Sequence, residues 1–140
     1  MSLRISFGLI MALLCVFAPA VDAQTSYKLS APITSSLPGG TLAADVLMTN
    51  QPEAAQGFQF GLTYDPTLLT LQAVTQGADL QALNNGQGAD YFFSSEPAGS
   101  GGITVGAIVS LAPPLLSIPA GTDQGIARLE LSVQPTAQPA

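Results

Sequence analysis

The sequence has no histidine and no tryptophan, and its one cysteine, Cys15, lies near the N-terminus. Without histidine, the side chain most often used for acid–base catalysis near neutral pH is missing. Cysteine nucleophiles and the usual zinc ligands are also excluded if Cys15 belongs to a segment that is removed. These absences argue against the most frequent kinds of catalytic centre, and we expect no enzyme activity, no cofactor and no metal site.

Positive charge is nearly as scarce. The three basic residues are Arg4, Lys28 and Arg128, against nine acidic residues, which gives a net charge of −6. A nucleic-acid-binding surface needs clustered lysine and arginine, so we expect no nucleic-acid partner. The acidic residues are scattered along the chain, as is typical of a soluble surface.

Residues 1–23 have the layout of a secretory signal peptide. Arg4 precedes an apolar run over 5–20, and the small residues Val21 and Ala23 stand at the positions that signal peptidase prefers. We expect cleavage after Ala23, or alternatively after Ala20, and secretion to the extracellular space or cell surface.

A membrane anchor is the alternative for this segment. The apolar run has 16 residues and Pro19 interrupts its end, so it is short for a span, and we expect none after cleavage. Removing 23 of the 140 residues leaves 117, enough for one core without any disulfide.

The remaining chain alternates apolar and polar residues in short segments separated by turn residues, and it shows no convincing helical periodicity. The predicted strands are SYKLSAP, TLAADVLMTN, GFQFGLTYD, LLTLQAV, YFFSS, ITVGAIVSL and GIARLELSV. Between them we expect a polar connection over 50–56, one helical turn around ADLQAL, and a Pro-rich loop over 112–124. The pattern predicts an all-β fold, an antiparallel β-sandwich.

Alternation also predicts which side chains face the core. The inward residues are Leu42, Ala44, Val46, Met48, Phe58, Phe60, Leu62, Tyr64, Ile103, Val105, Ala107, Val109, Leu111, Ala127, Leu129, Leu131 and Val133. Asp65-Pro66 predicts a tight turn after the third strand, because Asp accepts backbone hydrogen bonds there and Pro presets φ.

The acidic residues do not form an evident catalytic pair or metal site. Glu53, Glu96 and Glu130 are expected at the solvated surface, and no two obviously face each other as glycoside hydrolysis requires. Asp79, Asp90 and Asp123 are expected singly in loops, without the closely spaced acids typical of calcium loops.

A sugar-stacking platform would need exposed aromatic rings. The segment Tyr91-Phe92-Phe93 is the one candidate, and two of its three rings could equally belong to the core.

Taken together, several segments resemble cohesin domains. GFQFGLTYDPTLLTLQAVTQG resembles the cohesin pattern of an alternating strand, a Tyr-Asp-Pro turn and a following strand. LPGGTLAADVLMTN, GGITVGAIVSL and DQGIARLELSV resemble three further strands. The similarity covers most of residues 26–133, and it is a packing and turn pattern that contains no catalytic residue.

The resemblance implies a nine-stranded jelly-roll sandwich and a non-catalytic module. Cohesins bind calcium-loaded dockerin modules and thereby assemble extracellular polysaccharide-degrading enzymes or surface proteins. The implied partner is therefore a dockerin-like protein module. The alternatives are a carbohydrate-binding module of the same superfamily with a polysaccharide ligand, a structural spacer, or a fragment of a larger enzyme.

The implied contact face consists of outward side chains of the third and sixth strands: Gln59, Thr63, Thr104 and Ile108. Cohesins carry Asn and Asp at two positions of the third strand that correspond here to Gly57 and Gln59. Gln59 keeps hydrogen-bonding capacity, whereas Gly57 has no side chain.

The resemblance also implies that the domain, residues 24–134, lacks its last one or two strands, since two more strands follow the GIARLELSV strand in cohesins. Residues 135–140 would be a Pro-rich tail or the start of those strands. We therefore expect an unpaired edge at Tyr27–Ser30 and uncovered apolar surface beside Leu29 and Leu131. About 30 further residues, two strands and their turns, would then raise stability and solubility. A compact seven-stranded variant is the alternative.

Overall fold

The computed structural model describes residues 26–32 and 34–136. Within these ranges the elements are β1 (Ser26–Ser30), β2 (Thr41–Gln51), β3 (Gly57–Thr63), β4 (Leu69–Gln76), α1 (Ala78–Gly86), β5 (Tyr91–Ser95), β6 (Gly102–Ile108) and β7 (Gln124–Val133). The predicted signal peptide lies outside the described residues. No helix in the described ranges is long and apolar enough to cross a membrane.

The strands form two antiparallel sheets with the orders β1-β2-β7-β4 and β3-β6-β5. The chain passes from one sheet to the other several times, as jelly-roll topology requires. The predicted all-β sandwich is therefore confirmed. The described residues form seven strands, against the nine that the family resemblance implied.

The core lies between the sheets and is built from the predicted alternation. Its buried strand residues are Val46, Met48, Phe60, Ile103, Val105, Ala107, Ile126, Ala127, Leu129 and Leu131. Phe58, Leu62 and Tyr64 pack against them from β3 and the residue that follows it. The tight turn at Asp65-Pro66 is confirmed, because the backbone N–H groups of Leu68 and Leu69 both donate to the Asp65 carbonyl.

Bulges adjust the alternation on two strands. The pairing of β4 with β7 shifts between Leu71 and Ala73, so Gln72 is an extra residue and the strand changes phase. Leu69 and Leu71 before the shift, and Val74 after it, consequently all pack against the core. On β7, Ile126 is the extra residue opposite Val46 and Leu47, and it is fully buried beside Ala127.

Two expectations about burial are wrong, and one predicted connection is more buried than its sequence indicates. Alternation predicts Leu111 on the inner face of β6, but the strand ends at Ile108 and Leu111 is 63% exposed. A missing strand would leave Leu131 beside uncovered surface, but Leu131 is buried between paired strands. The polar connection over 50–56 contains two buried residues, Asn50 and Ala55.

Asn50 and Ala55 hold the Pro-rich loop against the end of the sandwich. The Asn50 Nδ2 group donates to the carbonyl oxygens of Glu53 at 3.0 Å and Pro119 at 3.2 Å, while its Oδ1 accepts from Gln124 Nε2 at 2.6 Å. Ala55 and Ile118 exchange two backbone hydrogen bonds, and Ile118 is buried. The loop thus contributes Ile118 to the core and is fixed there by these hydrogen bonds.

Four strands form the edges of the two sheets. Among the described residues β1 and β4 each have one neighbour in the first sheet, and β3 and β5 each have one neighbour in the second. The helix α1 links β4 to β5, packs against β7 and places Leu80 in the core with 1% exposure. Leu29 on the edge strand β1 is 44% exposed, so this part of the expected edge is confirmed.

Candidate functional site

The structure brings all four predicted contact residues to the outer surface of the β3-β6-β5 sheet. Each lies between inward neighbours: Gln59 between two Phe residues of β3, and Ile108 between Ala107 and Val109. This surface, named the β3-β6-β5 face, comprises Gly57, Gln59, Gly61, Thr63, Tyr91, Phe93, Ser95, Gly102, Thr104, Gly106 and Ile108.

Strand register arranges the face in rows. Gly57, Ile108 and Tyr91 form one row, and Gln59, Gly106 and Phe93 form the next. Because Ile108 is 43% exposed and Tyr91 50% exposed, these neighbouring side chains give one end of the face an apolar surface. The opposite end carries Thr63, Thr104 and Ser95 and is polar.

Gly106 shapes the middle of the face. A Cβ atom built on Gly106 would overlap the Phe93 ring, so the ring lies directly over the backbone of β6. The Tyr91 and Phe93 rings are neighbours, with centroids 5.8 Å apart and planes tilted by 36°. The absence of a side chain at Gly106 therefore lets an aromatic ring lie close to the sheet.

The aromatic residues of this face follow only in part from the sequence. The segment Tyr91-Phe92-Phe93 is a candidate platform in which two of the rings could belong to the core. In the structure Phe92 alone packs against the core, and Tyr91 and Phe93 share the outer face. The signal is present in the sequence, because strict alternation along β5 separates the central ring from the other two.

The β3-β6-β5 face has no charged residue among its described positions, whereas the outer surface of the other sheet is charged. There, Arg128 forms an ion pair with Asp45 at 3.1 Å, next to the exposed Glu130, and Lys28 lies on β1. The two broad surfaces of the sandwich therefore differ in chemistry, and the uncharged one carries the aromatic rings.

One acidic residue, Glu96, forms a side-chain hydrogen bond at the end of the β3-β6-β5 sheet. The Tyr64 hydroxyl donates a hydrogen bond to Glu96 Oε1, and this bond raises the pKa of Tyr64, with burial adding to the shift. The sequence predicts a fully solvated Glu96, but the residue is half-buried and accepts this bond. Glu53 and Glu130 are exposed, as expected.

Asp65 has a structural role in the adjacent turn. Its Oδ1 accepts hydrogen bonds from the Thr67 hydroxyl at 2.6 Å and the Thr67 backbone N–H at 2.8 Å, and these bonds lower the pKa of Asp65. This carboxylate fixes the turn that ends β3.

Two of the acidic residues that the sequence predicts in loops accept hydrogen bonds from backbone N–H groups. Asp79 lies in the first turn of α1, not in a loop as predicted, and accepts from the Gly125 N–H at 2.6 Å. Asp90 accepts from the Leu111 N–H at 2.9 Å. Over residues 26–32 and 34–136, no three His, Cys, Asp or Glu side chains lie close enough together to hold a metal ion.

The chain resembles known proteins at the level of structure. No family model and no curated protein sequence matches it. A chain of the CaDoc0917–CaCohA2 complex matches with a TM-score of 0.65 and 22% identity, over 82% of this chain and 77% of that one. The solution structure of CaCohA2 from Clostridium acetobutylicum also matches, with a TM-score of 0.60 and 21% identity over 81% of this chain and 68% of that one.

Two further matches come from other organisms. A chain of the Coh-OlpA-Doc918 type I cohesin–dockerin complex from Clostridium thermocellum gives a TM-score of 0.67 at 15% identity, over 83% of this chain and 78% of that one. A non-cellulosomal cohesin from the archaeon Archaeoglobus fulgidus gives 0.55 at 16% identity, over 82% and 70%. The chain has the fold of cohesin domains.

Proposed function

We propose that the chain is a secreted, non-catalytic, cohesin-like module that binds a dockerin-type protein module through the β3-β6-β5 face. In this proposal it serves an extracellular polysaccharide-degrading or cell-surface assembly. The observation that carries the proposal is the uncharged, aromatic-bearing face on a fold whose structural neighbours include cohesin–dockerin complexes.

The composition of the face supports a protein partner. The centres of protein interfaces are depleted in charged residues and enriched in aromatic ones, and a few central side chains contribute most of the binding energy. Ile108, Tyr91 and Phe93 form an uncharged apolar and aromatic cluster at one end of the face, and Gln59 is an exposed hydrogen-bonding group beside them. The charged surface of the opposite sheet lacks this arrangement among the described residues.

Gly57 determines which groups a partner can contact at the apolar end of the β3-β6-β5 face. A Cβ at Gly57 would lie 2.5 Å from the Ala107 carbonyl oxygen, so the backbone of β3 approaches β6 closely at this point. A partner that contacts this end of the face therefore meets main chain and the Ile108 side chain, without a polar side chain at 57. We infer that apolar contact predominates over side-chain hydrogen bonding at this end.

We expect Ile108→Asp to weaken capture of a dockerin module at least about tenfold, because it places an unpaired charge in a desolvated contact. Affinity is measured by titration calorimetry against calcium-loaded dockerin modules, including those encoded by the organism that encodes this chain. Gln59→Ala should weaken the same complex less. Leu37→Asp is the matched control, since Leu37 is 80% exposed and lies outside the face.

Two results would contradict this face assignment. In the first, neither Ile108→Asp nor Gln59→Ala changes the affinity although both variants are folded by circular dichroism. In the second, Leu37→Asp weakens binding as strongly as Ile108→Asp. A chain that binds no dockerin at all would instead support the spacer alternative.

The absence of hydrolase activity is a separate prediction. The sequence lacks histidine, and Glu96 is engaged by Tyr64. Purified protein incubated with a panel of soluble and insoluble glycans should release no reducing ends above background. Turnover that disappears when a single Asp or Glu is replaced would overturn this prediction.

A polysaccharide ligand is the second candidate, favoured by the adjacent Tyr91 and Phe93 rings on an exposed surface. Sugar rings stack on aromatic faces, and the planes of these two rings are tilted by 36°. Sedimentation with insoluble cellulose, compared between the chain and Tyr91→Ala, distinguishes this candidate: loss of co-sedimentation in the variant would support it.

A further inference from the structure

The C-terminal end of α1 contains the one Asn-Gly dipeptide of the sequence, Asn85-Gly86. Asn84, Asn85 and Gly86 all have left-handed backbone conformations, with φ angles of 53°, 57° and 87°. Asparagine tolerates this region better than most residues with a side chain, and glycine adopts it freely. The helix therefore ends in a tight left-handed turn built from the residue types that fit it.

The Asn85-Gly86 dipeptide lies at the surface, and both of its residues are exposed. A Cβ atom built on Gly86 would meet no other atom within 4 Å, so the space beside this part of the backbone is open. Water can therefore reach the peptide unit. Because residue 86 has no side chain, nothing of its own obstructs an approach between the Asn85 side chain and the Gly86 main-chain nitrogen.

The other two asparagines of the sequence are held differently. Asn50 is fully buried, and its carboxamide is hydrogen-bonded to the Pro-rich loop. Asn84 is half-buried, its Nδ2 lies 3.5 Å from Asp90 Oδ1, and the residue that follows it carries a side chain. Asn85 alone combines exposure with a following glycine.

We propose that Asn85 is a site of spontaneous deamidation, with water as the co-reactant, and that a hydrogen bond from Gln81 sets its rate. The main-chain nitrogen of Gly86 loses its proton to solvent and attacks Cγ of Asn85. The bond from Cγ to the side-chain nitrogen breaks, and ammonia leaves with a proton from water. Water then opens the resulting cyclic imide. Attack at Cγ gives aspartate, and attack at the main-chain carbonyl carbon gives isoaspartate, whose backbone runs through the former side chain.

The turn has to open before the imide can form. The ψ angle of Asn85 is 35°, which turns the Gly86 nitrogen away from the Asn85 Cβ, so ring closure requires rotation about the Cα–C bond of Asn85. This rotation moves the Gly86 peptide group, whose carbonyl oxygen accepts a hydrogen bond from Gln81 Nε2 at 2.7 Å. That bond is exposed and therefore opens at less cost than a buried one.

The reaction changes the segment that leads into β5. It adds a negative charge at position 85 and, in the isoaspartate product, one extra main-chain carbon atom. Asn84 Nδ2 lies 3.5 Å from Asp90 Oδ1, and Asp90 directly precedes Tyr91, the first residue of β5. Modified and unmodified chains therefore differ in charge and backbone length at the entrance to the strand that carries Tyr91 and Phe93.

Incubation of the purified folded chain in mildly alkaline buffer, followed by peptide mass spectrometry with fragmentation, tests the proposal. We expect Asn85 to gain the mass difference between an amide and an acid, and an isoaspartate-specific methyltransferase to label the product. Asn50 and Asn84 should stay unmodified, and Asn85→Ser should give no label. Gln81→Ala should speed the conversion about threefold, because the rotation no longer breaks its hydrogen bond. Gln87→Ala is the matched control, since Gln87 is exposed in the same turn and bonds there through its backbone N–H.

A parallel incubation of the chain unfolded in urea gives the rate without the turn. The proposal is overturned if the folded chain keeps Asn85 intact over a period in which the unfolded chain deamidates, because the turn would then protect the dipeptide. It is also overturned if Asn50 or Asn84 converts as fast as Asn85 in the folded chain. The role of Gln81 is refuted if folded Gln81→Ala and Gln87→Ala, checked by circular dichroism, convert at the same rate.

Discussion

Replacement of Asn50 by aspartate is expected to lower the free energy of unfolding by about 4 kcal/mol at neutral pH. Asn50 is fully buried, and its Nδ2 donates to the carbonyl oxygens of Glu53 and Pro119. A carboxylate of the same shape would direct negative charge at these acceptors with no donor to replace the lost hydrogen bonds. The loss is therefore larger than the removal of one buried apolar side chain would cause.

The effect should depend on pH in a defined direction. A carboxyl group in this position holds its proton more tightly in the folded chain than in the unfolded chain, so protonation favours folding. The difference in stability between Asn50→Asp and the unmodified protein should therefore shrink as the pH is lowered. Urea denaturation at several pH values measures this difference directly.

Gln51→Glu is the matched control, because it makes the same amide-to-carboxylate change at the next, exposed residue of β2. We expect this variant to lose less than about 0.5 kcal/mol, as is usual for surface substitutions. If Asn50→Asp and Gln51→Glu are equally stable, the Asn50 hydrogen bonds do not hold the Pro-rich loop as described.

Leu80→Ala is expected to cost about 3 kcal/mol, since it removes a fully buried side chain and leaves a cavity. For a domain of this size the melting temperature should fall by about 10–15 °C. Leu80 comes from α1, which packs against β7, so the substitution should also loosen the contact between these two elements. Calorimetry gives the change in melting temperature, and hydrogen exchange shows whether α1 opens first.

Leu115→Ala makes the same change at a residue that is 63% exposed and should cost less than about 1 kcal/mol. The comparison separates burial from side-chain identity. Equal losses in the two variants would mean that α1 does not complete the core, contrary to its position in the structure.

The inner faces of β3, β6 and β7 could be predicted from the sequence because a strand repeats every two residues. Phe60, Val105 and Leu129 are buried, as that period requires. The outer positions follow from the same rule, which is why alternation alone locates Gln59 and Ile108 on the outer surface.

Features that depend on distant partners could not be predicted in this way. The strand period places Asn50 on the inward side of β2, but its hydrogen-bond partners Pro119 and Gln124 are remote in sequence and have no local signal. The bulge at Gln72 is set by pairing with β7 and has no local signal. Leu111 continues the alternation of β6 in the sequence, but the chain leaves the sheet after Ile108.

The Phe93 ring above Gly106 has a consequence for how such modules diverge. Any side chain at 106 would push the ring away from the sheet and change the contour of the face, while the buried residues on either side of it, Val105 and Ala107, stay as they are. A substitution at residue 106 can therefore alter the shape of this surface without altering its charge or the packing beneath it. Under the proposed function, related chains that differ at 106 should share an architecture and yet differ in the partners that this face selects.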